Sequence, residues 1–281
     1  MTLGYFELAL LGATVIGAGT GFVGALVVLR RRTFFAQALT HATYPGAVAA
    51  AALGFSVPLG AAIASIAIVG VMAFVARARR QGPQVAAGIV LTGGFAAGAL
   101  LQASIPGIPV RPESFLVGSI LTVTPGDVAL AASVFLVALA CVAAFGKEIA
   151  FSTFDPAGFR VAGYREWHVE LLVLGLTAAA VVTALPAVGA ILAISLIAAP
   201  ASAARLVLPT FRGILFASPV IGAAAGIIGV LVSRAVGIAA GPAIALAATT
   251  FFLIALIAHR VRRIPWRRDI PVETAEEARL A

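Results

Sequence analysis

The sequence predicts an all-α fold, a polytopic transmembrane helix bundle of about nine (eight to nine) spans with a short half-helix and a short cytoplasmic surface helix. The first reason is composition, because 62% of the 281 residues are hydrophobic and only 11% are charged, whereas soluble domains carry about 25% charged residues. The second is length, since most of the chain falls into apolar runs of about 20 residues, enough for a helix to cross the hydrocarbon layer. The third is that arginines cluster between these runs, as loop charges do in membrane proteins.

The predicted spans follow one another with short connections. They cover residues 5–29, 34–53, 56–76, 85–104, 126–146, 169–186, 188–208, 214–234 and 239–259. The basic triplet at residues 30–32 falls in the cytoplasm by the positive-inside bias, so the N-terminus is expected outside and the C-terminus in the cytoplasm. Residues 1–265 then form one transmembrane domain and residues 266–281 a charged cytoplasmic tail. The run 114–123 is too short to span, which predicts a half-helix or a re-entrant segment.

Small residues are expected to hold the helices together, because lipid tails are as apolar as leucine and leave close packing as a main source of attraction. Pairs of glycines four residues apart mark the surfaces where two helices can approach closely. These pairs are Gly17 and Gly21, Gly94 and Gly98, Gly222 and Gly226, and Gly237 and Gly241.

The distribution of acidic residues limits how the chain could be powered. All 11 Asp and Glu residues lie at the ends of runs, in loops or in the tail, whereas proton- and sodium-coupled carriers usually hold a carboxylate near mid-membrane. No segment has the pattern of a phosphate-binding loop. Transport by this chain would therefore be passive or driven by a partner. The net charge of +8 lies in loops between apolar runs, which indicates membrane lipid and no nucleic acid as a partner.

The second span, in the stretch FFAQALTHATYPG, contains the most informative polar residues. Gln37 and His41 are four residues apart and share one helix face, with Thr40 beside them. Pro45 follows His41 by four residues, so the helix is expected to open there and the carbonyl of His41 to lose its helical donor. These groups could form a transport site. Alternatively, His41 is a packing residue hydrogen-bonded to a neighbouring helix.

The longest predicted cytoplasmic loop, residues 147–168, contains the signals of a short helix. Asp155 followed by Pro156 predicts a helix start, and Gly163 predicts its end. The aromatic residues around it are Phe154, Phe159 and Tyr164. Such a helix would suit docking into a groove of a partner, or it could be an ordinary interfacial loop helix.

Four segments of the chain, in order, resemble the membrane subunits of bacterial ABC importers for zinc, manganese and iron. They are RRRTFFAQALTHATYPG, SFLVGSIL, FSTFDPAGFRVAG and VGAILAISLIAAPASAARL. The second span of that family carries an aspartate, then serine and histidine, then proline and glycine, which fall here on Gln37, Thr40, His41, Pro45 and Gly46. The resemblance implies that His41 lines a metal gate and contacts the metal transiently. Gln37 departs from the pattern, and an amide is a weaker ligand than a carboxylate for Zn²⁺ or Mn²⁺.

The same resemblance implies roles for two further segments. The loop containing Phe154, Asp155, Pro156 and Gly163 is similar to the coupling helix by which the family docks onto its ATPase. The stretch AAPASAARL is similar to a proline-containing helix of the family, which implies a place in the transport pathway for Pro200.

By resemblance, the working transporter contains two copies of this permease, two ATP-binding subunits and an extracytoplasmic metal-binding protein, assembled in the bacterial inner (cytoplasmic) membrane. The chain itself is then a transport subunit and not an enzyme. It moves a divalent metal or a metal chelate, holds no tightly bound cofactor, and leaves ATP to the partner. The alternatives from the residues alone are a passive channel, an ion-coupled secondary transporter, and a membrane enzyme or scaffold.

Overall fold

The computed structural model describes residues 4–76, 83–105, 115 and 117–263, and the regular secondary structure within them is helical throughout. The α-helices are α1 (Tyr5–Leu29), α2 (Thr33–Ala42), α3 (Tyr44–Ala52), α4 (Val57–Ala76), α5 (Pro83–Ser104), α6 (Pro125–Phe154), α7 (Pro156–Val161), α8 (Glu166–Val188), α9 (Ala190–Val207), α10 (Phe211–Val236) and α11 (Ala240–Arg263), with a 3-10 turn at Ile120–Thr122. The predicted charged tail, residues 266–281, lies outside the described residues. The prediction of an all-α fold is confirmed.

Six helices in the described ranges are long and apolar enough to cross a membrane, judged by length and composition: α1, α5, α6, α8, α10 and α11. Two shorter apolar stretches lie in α4 and α9, at Val57–Met72 and Leu192–Val207. The predicted run 34–53 is divided into α2 and α3 by a break at Thr43. The count of about nine spans therefore stays a prediction.

Among the described residues, α1 and α10 make the most extensive contact between two helices. Gly17 and Gly222 face each other so closely that a Cβ added at Gly222 would lie 2.1 Å from the carbonyl oxygen of Gly17. One turn away, a Cβ at Gly226 would lie 2.3 Å from the carbonyl oxygen of Ala13. Two of the predicted glycine pairs thus pack against each other, and backbone contact replaces side-chain contact along this interface.

The other two glycine pairs differ from each other. A Cβ at Gly94 would lie 2.7 Å from the Cβ of Ala42, and one at Gly98 would lie 2.4 Å from the ring of Tyr44, so this pair seats α5 against α2 and α3. Gly237 has nothing within 4 Å of its added Cβ and ends α10. The predicted packing role is confirmed for the Gly94 pair and for Gly241, whose added Cβ would lie 2.8 Å from the carbonyl oxygen of Val117. It is wrong for Gly237, which serves as a helix stop.

A methyl group at Gly222 is expected to destabilise the bundle. Alanine is ordinarily the better helix residue by about 1 kcal/mol, but here its Cβ would overlap a backbone oxygen that cannot rotate away, and such overpacking costs about 1–3 kcal/mol. The Gly222→Ala protein should therefore melt at a lower temperature than the wild type in detergent. Gly175→Ala is the matched control, since Gly175 lies in α8 with nothing within 4 Å of its added Cβ. Equal melting temperatures for the two variants would contradict this packing account.

The junction of α8 and α9 is a single residue, Gly189. Its backbone has φ +80° and ψ 167°, a region that only glycine adopts readily. Gly118 packs directly on it, with an added Cβ 2.3 Å from the Gly189 nitrogen, and the N–H of Ser119 donates to the carbonyl of Pro186 at 3.0 Å. The described part of the predicted half-helix thus rests on this junction. That described part contains the 3-10 turn Ile120–Thr122. A half-helix over the whole run 114–123 stays a prediction, because residues 114 and 116 lie outside the described ranges.

Candidate functional site

The chain turns from α2 to α3 at Thr43, as the position of Pro45 predicts. Pro45 lies in the first turn of α3, where a residue without an N–H is tolerated, and the N–H of Ala47 donates to the Thr43 carbonyl at 3.1 Å. The expectation that the carbonyl of His41 is left free is wrong, since it accepts a capping backbone N–H at the end of α2. A helix end commonly tightens its last turn in this way to use its orphan carbonyls.

Gln37 and His41 lie on one face of α2 and are both half-buried. The ring of His41 stands edge-on to Phe95 of α5, with 6.0 Å between ring centroids and 89° between ring planes. Thr40 is buried and its hydroxyl donates to the carbonyl of Gln37 at 2.8 Å, so it satisfies its own helix. The structure therefore leaves the imidazole and the amide, without the hydroxyl, as the polar groups of this face.

Pro200 lies inside α9, which continues on both sides of it from Ala190 to Val207. Proline at this position removes the backbone N–H that would bond the carbonyl of Leu196. Helix α9 contacts α2, α1, α10 and α11. The structure thus places Pro200 on a neighbour of the helix that carries His41.

Tyr44 is a residue of this region that the sequence interpretation missed. Its side chain is completely buried, its hydroxyl donates to the Oε1 atom of Gln102 in α5, and its ring stacks on Phe95 with 5.3 Å between centroids. The ring of Phe115 lies 4.9 Å away on another side. A signal was present in the sequence, since Gln102 is a polar residue within an apolar run and Tyr44 directly precedes Pro45.

The short helix predicted in the long loop is present as α7, and we call residues 154–163 the elbow. The carboxylate of Asp155 accepts the backbone N–H of Gly158 at 2.8 Å and caps the helix, and Pro156 occupies its first turn. Gly163 follows with φ +84°, a left-handed conformation that suits glycine at a helix end. The predicted start and stop signals are thus confirmed.

Aromatic packing fixes the elbow against the bundle and leaves part of it outside. Phe159 is 1% exposed, stacks on Tyr164 with 4.9 Å between centroids and meets the edge of Phe151 at 5.4 Å. In contrast, Phe154 is 64% and Val161 is 89% exposed. The elbow therefore presents apolar side chains outward from a seated helix.

A charged cluster next to the elbow was also missed. Glu170 of α8 makes ion pairs with Arg30 at 3.0 Å and with Arg32 at 2.8 Å. These residues line a cleft of about 600 Å³ that reaches Phe154, Pro156 and Arg205. In the sequence these arginines indicate the orientation of the spans, and an acid at the start of the run 169–186 was a signal for pairing with them.

Within the described ranges, no group of three or more His, Cys, Asp or Glu side chains is arranged to hold a metal ion. The polar groups of the α2 face are one imidazole and one amide, which are two ligands of the four that zinc usually takes. Such a pair can contact a passing ion and release it, because tight binding requires the full ligand set.

The chain is similar over most of its length to known proteins. The ABC 3 transport family matches residues 3–259 of the chain. The zinc transport system membrane protein TroC of Treponema pallidum is 33% identical over 271 residues, covering 92% of this chain and 91% of the relative. The manganese transport system membrane protein MntC of Halalkalibacterium halodurans is 28% identical, covering 91% and 87%. The structure of PsaBC from Streptococcus pneumoniae in complex with Fab is 26% identical with a TM-score of 0.81, covering 91% of this chain and 92% of that chain.

Proposed function

This chain belongs to the ABC 3 transport family and is the membrane permease subunit of a metal ABC transporter, and on that premise we propose that a divalent metal ion crosses it beside the break between α2 and α3. The observation that carries the proposal is His41, a half-buried imidazole beside a helix break within an apolar bundle. Zinc and manganese are the first candidate cargoes, since relatives that match nearly the whole chain are named for them. Iron, as an ion or a chelate, is the third candidate cargo.

His41 is the proposed transient ligand, with Gln37 one turn before it on the same face. Imidazole nitrogen binds zinc and other first-row metals well, whereas an amide oxygen is a weak, neutral ligand. Thr40 and Pro45 shape the break rather than bind the metal, because the hydroxyl of Thr40 is already bonded to the Gln37 carbonyl. Pro200 is proposed to give α9 the local freedom to move against α2.

The elbow is proposed to dock on a separate ATP-binding subunit. A permease of an ABC transporter does not hydrolyse ATP, so the work of transport must enter through a contact. The exposed side chains of Phe154 and Val161 suit an apolar groove, and the Asp155 cap keeps the helix formed before it is engaged. Asp155, Pro156 and Gly163 thereby hold the shape of the contact, and Phe154 supplies part of its surface.

Because the chain belongs to the ABC 3 transport family, we also propose three further partners. They are a second copy of this permease, an extracytoplasmic metal-binding protein, and surrounding lipid. Only 17% of the residues in the apolar windows of α5 and α6 are buried within one chain, so their outer faces must meet lipid or the second copy. We place about nine crossings in the membrane, with the N-terminus outside and the elbow and C-terminus in the cytoplasm, because the clustered arginines next to the elbow favour the inner side.

Cargo identity can be tested in cells that express the permease with its ATPase and binding protein. We expect cellular zinc or manganese, measured by elemental analysis, to rise in a manner that depends on all three components. Wild-type metal content in cells lacking the permease would contradict the proposal. Uptake that persists without the ATPase would instead favour a passive channel.

A further inference from the structure

Residues 30–32 join α1 to α2, and we call them the corner. The carboxylate of Glu170, near the start of α8, forms ion pairs with two of these residues. Glu170 binds Arg30 through Oε2 at 3.0 Å and Arg32 through Oε1 at 2.8 Å, so each oxygen serves one guanidinium. The side chains are 24%, 10% and 32% exposed, respectively. Ion pairs that are partly shielded from water are stronger than those on an open surface.

The corner also binds the segment that precedes the elbow in sequence. Arg30 donates to the hydroxyl of Ser152 at 2.8 Å and to that of Thr153 at 3.2 Å. Both hydroxyls belong to the last turn of α6, directly before Asp155. The elbow is therefore flanked in sequence by two segments that bind the α1–α2 corner, Ser152 and Thr153 before it and Glu170 after it.

The corner is continuous with α2, the helix that carries the proposed metal ligand His41. Arg32 is the residue from which α2 begins, and Gln37 and His41 follow on the same unbroken helix. His41 lies nine residues beyond Arg32, about 14 Å along a helix of 1.5 Å rise per residue. Because α2 is one continuous helix of ten residues that begins directly after Arg32, we expect a displacement at Arg32 to shift His41 as well.

We propose that the ion pair between Glu170 and Arg32 links the elbow to α2, so that movement imposed on the elbow by the ATPase displaces the helix that carries His41. Glu170 and Arg32 are then positioning residues, which touch neither metal nor nucleotide. This inference rests on the proposed docking role of the elbow. A pair that served only to stabilise the fold would leave the ratio of metal moved to ATP hydrolysed unchanged.

The test uses the complete transporter in proteoliposomes, with permease, ATPase and binding protein, and manganese or zinc as the probe. In the Arg32→Gln variant we expect the metal transported per ATP hydrolysed to fall about tenfold, within the range of coupling between contacting residues. The ATPase should remain bound and hydrolyse ATP at no less than half the wild-type rate. Arg31→Gln is the matched control, because this neighbouring arginine is exposed and makes no side-chain hydrogen bond or ion pair in the described part of the chain. It should keep the wild-type ratio.

A second variant covers the case in which Arg32→Gln reduces the amount of folded transporter. Arg32→Lys keeps the positive charge but replaces the guanidinium that contacts Glu170 by an ammonium of different reach and shape, and a fall of about threefold in the same ratio is expected. A wild-type ratio in both variants would overturn the link, as would release of the ATPase by either one. Neither result tests whether the elbow docks on the ATPase. That proposal is wrong if disrupting the elbow itself leaves the ATPase bound.

Discussion

Replacing His41 by alanine is expected to reduce metal uptake by at least about 10-fold, because loss of a group that only supports a metal ligand already costs about 10- to 100-fold and His41 is proposed as the ligand itself. The reason is chemical, since this imidazole is the strongest metal-binding group on the α2 face and the neighbouring Gln37 offers only an amide. Uptake should be measured in proteoliposomes with the ATPase and the binding protein present. The amount of ATPase that copurifies should stay at the wild-type level, because the elbow is a separate part of the molecule.

The His41→Phe substitution distinguishes metal binding by His41 from a role in helix packing alone. His41→Phe keeps an aromatic edge against Phe95, which lies 6.0 Å away in the wild type, and removes both ring nitrogens. If the nitrogens bind the metal, the variant transports as poorly as His41→Ala. Normal uptake with Phe would instead assign His41 to packing. Gln37→Ala is a further comparison, and we expect its uptake to fall by less than threefold because a neutral amide contributes little to metal binding.

Disrupting the elbow is expected to detach the ATPase and abolish uptake. In the Asp155→Ala/Pro156→Gly variant, loss of the cap costs about 1 kcal/mol and the added freedom of glycine in place of proline about another 1 kcal/mol. A helix of six residues is too short to be stable without its cap and its packing, so the ratio of folded to unfolded elbow should fall roughly 30-fold. We expect copurified ATPase to fall at least tenfold, measured as the ratio of the two subunits after affinity purification.

The matched control removes an equivalent cap elsewhere. Thr210 caps α10 by accepting the backbone N–H of Gly213 at 3.2 Å, but α10 has 26 residues and does not depend on one cap. Thr210→Ala should therefore retain both the ATPase and uptake. If the elbow variant also keeps a full complement of ATPase with normal ATP turnover, the coupling role of the elbow is wrong.

The features that the sequence predicts well are those with local causes. The elbow follows from Asp155, Pro156 and Gly163, whose effects act within one turn of helix. The break in the second span follows from Pro45 in the same way. The contact between Gly17 and Gly222 joins distant segments, yet each glycine pair is visible on its own because four-residue spacing is itself a local pattern.

The features that the sequence does not reveal depend on long-range pairing. Glu170 meets Arg30 across 140 residues, and Tyr44 meets Gln102 across 58. Each partner alone has an ordinary explanation, as a loop charge or an interfacial polar group, and only the packed bundle brings the two together. The prediction of a free His41 carbonyl is wrong for a related reason, since rules for proline within a continuous helix do not describe a helix that ends and caps itself.

Metal accumulation by sealed vesicles shows whether this permease conducts metal and depends on a partner for its power. Vesicles containing the permease, the ATPase and the binding protein should accumulate manganese or zinc against a gradient when ATP is supplied to the ATPase side. Omitting ATP or the ATPase should abolish accumulation. Accumulation by vesicles that contain the permease alone would contradict the account.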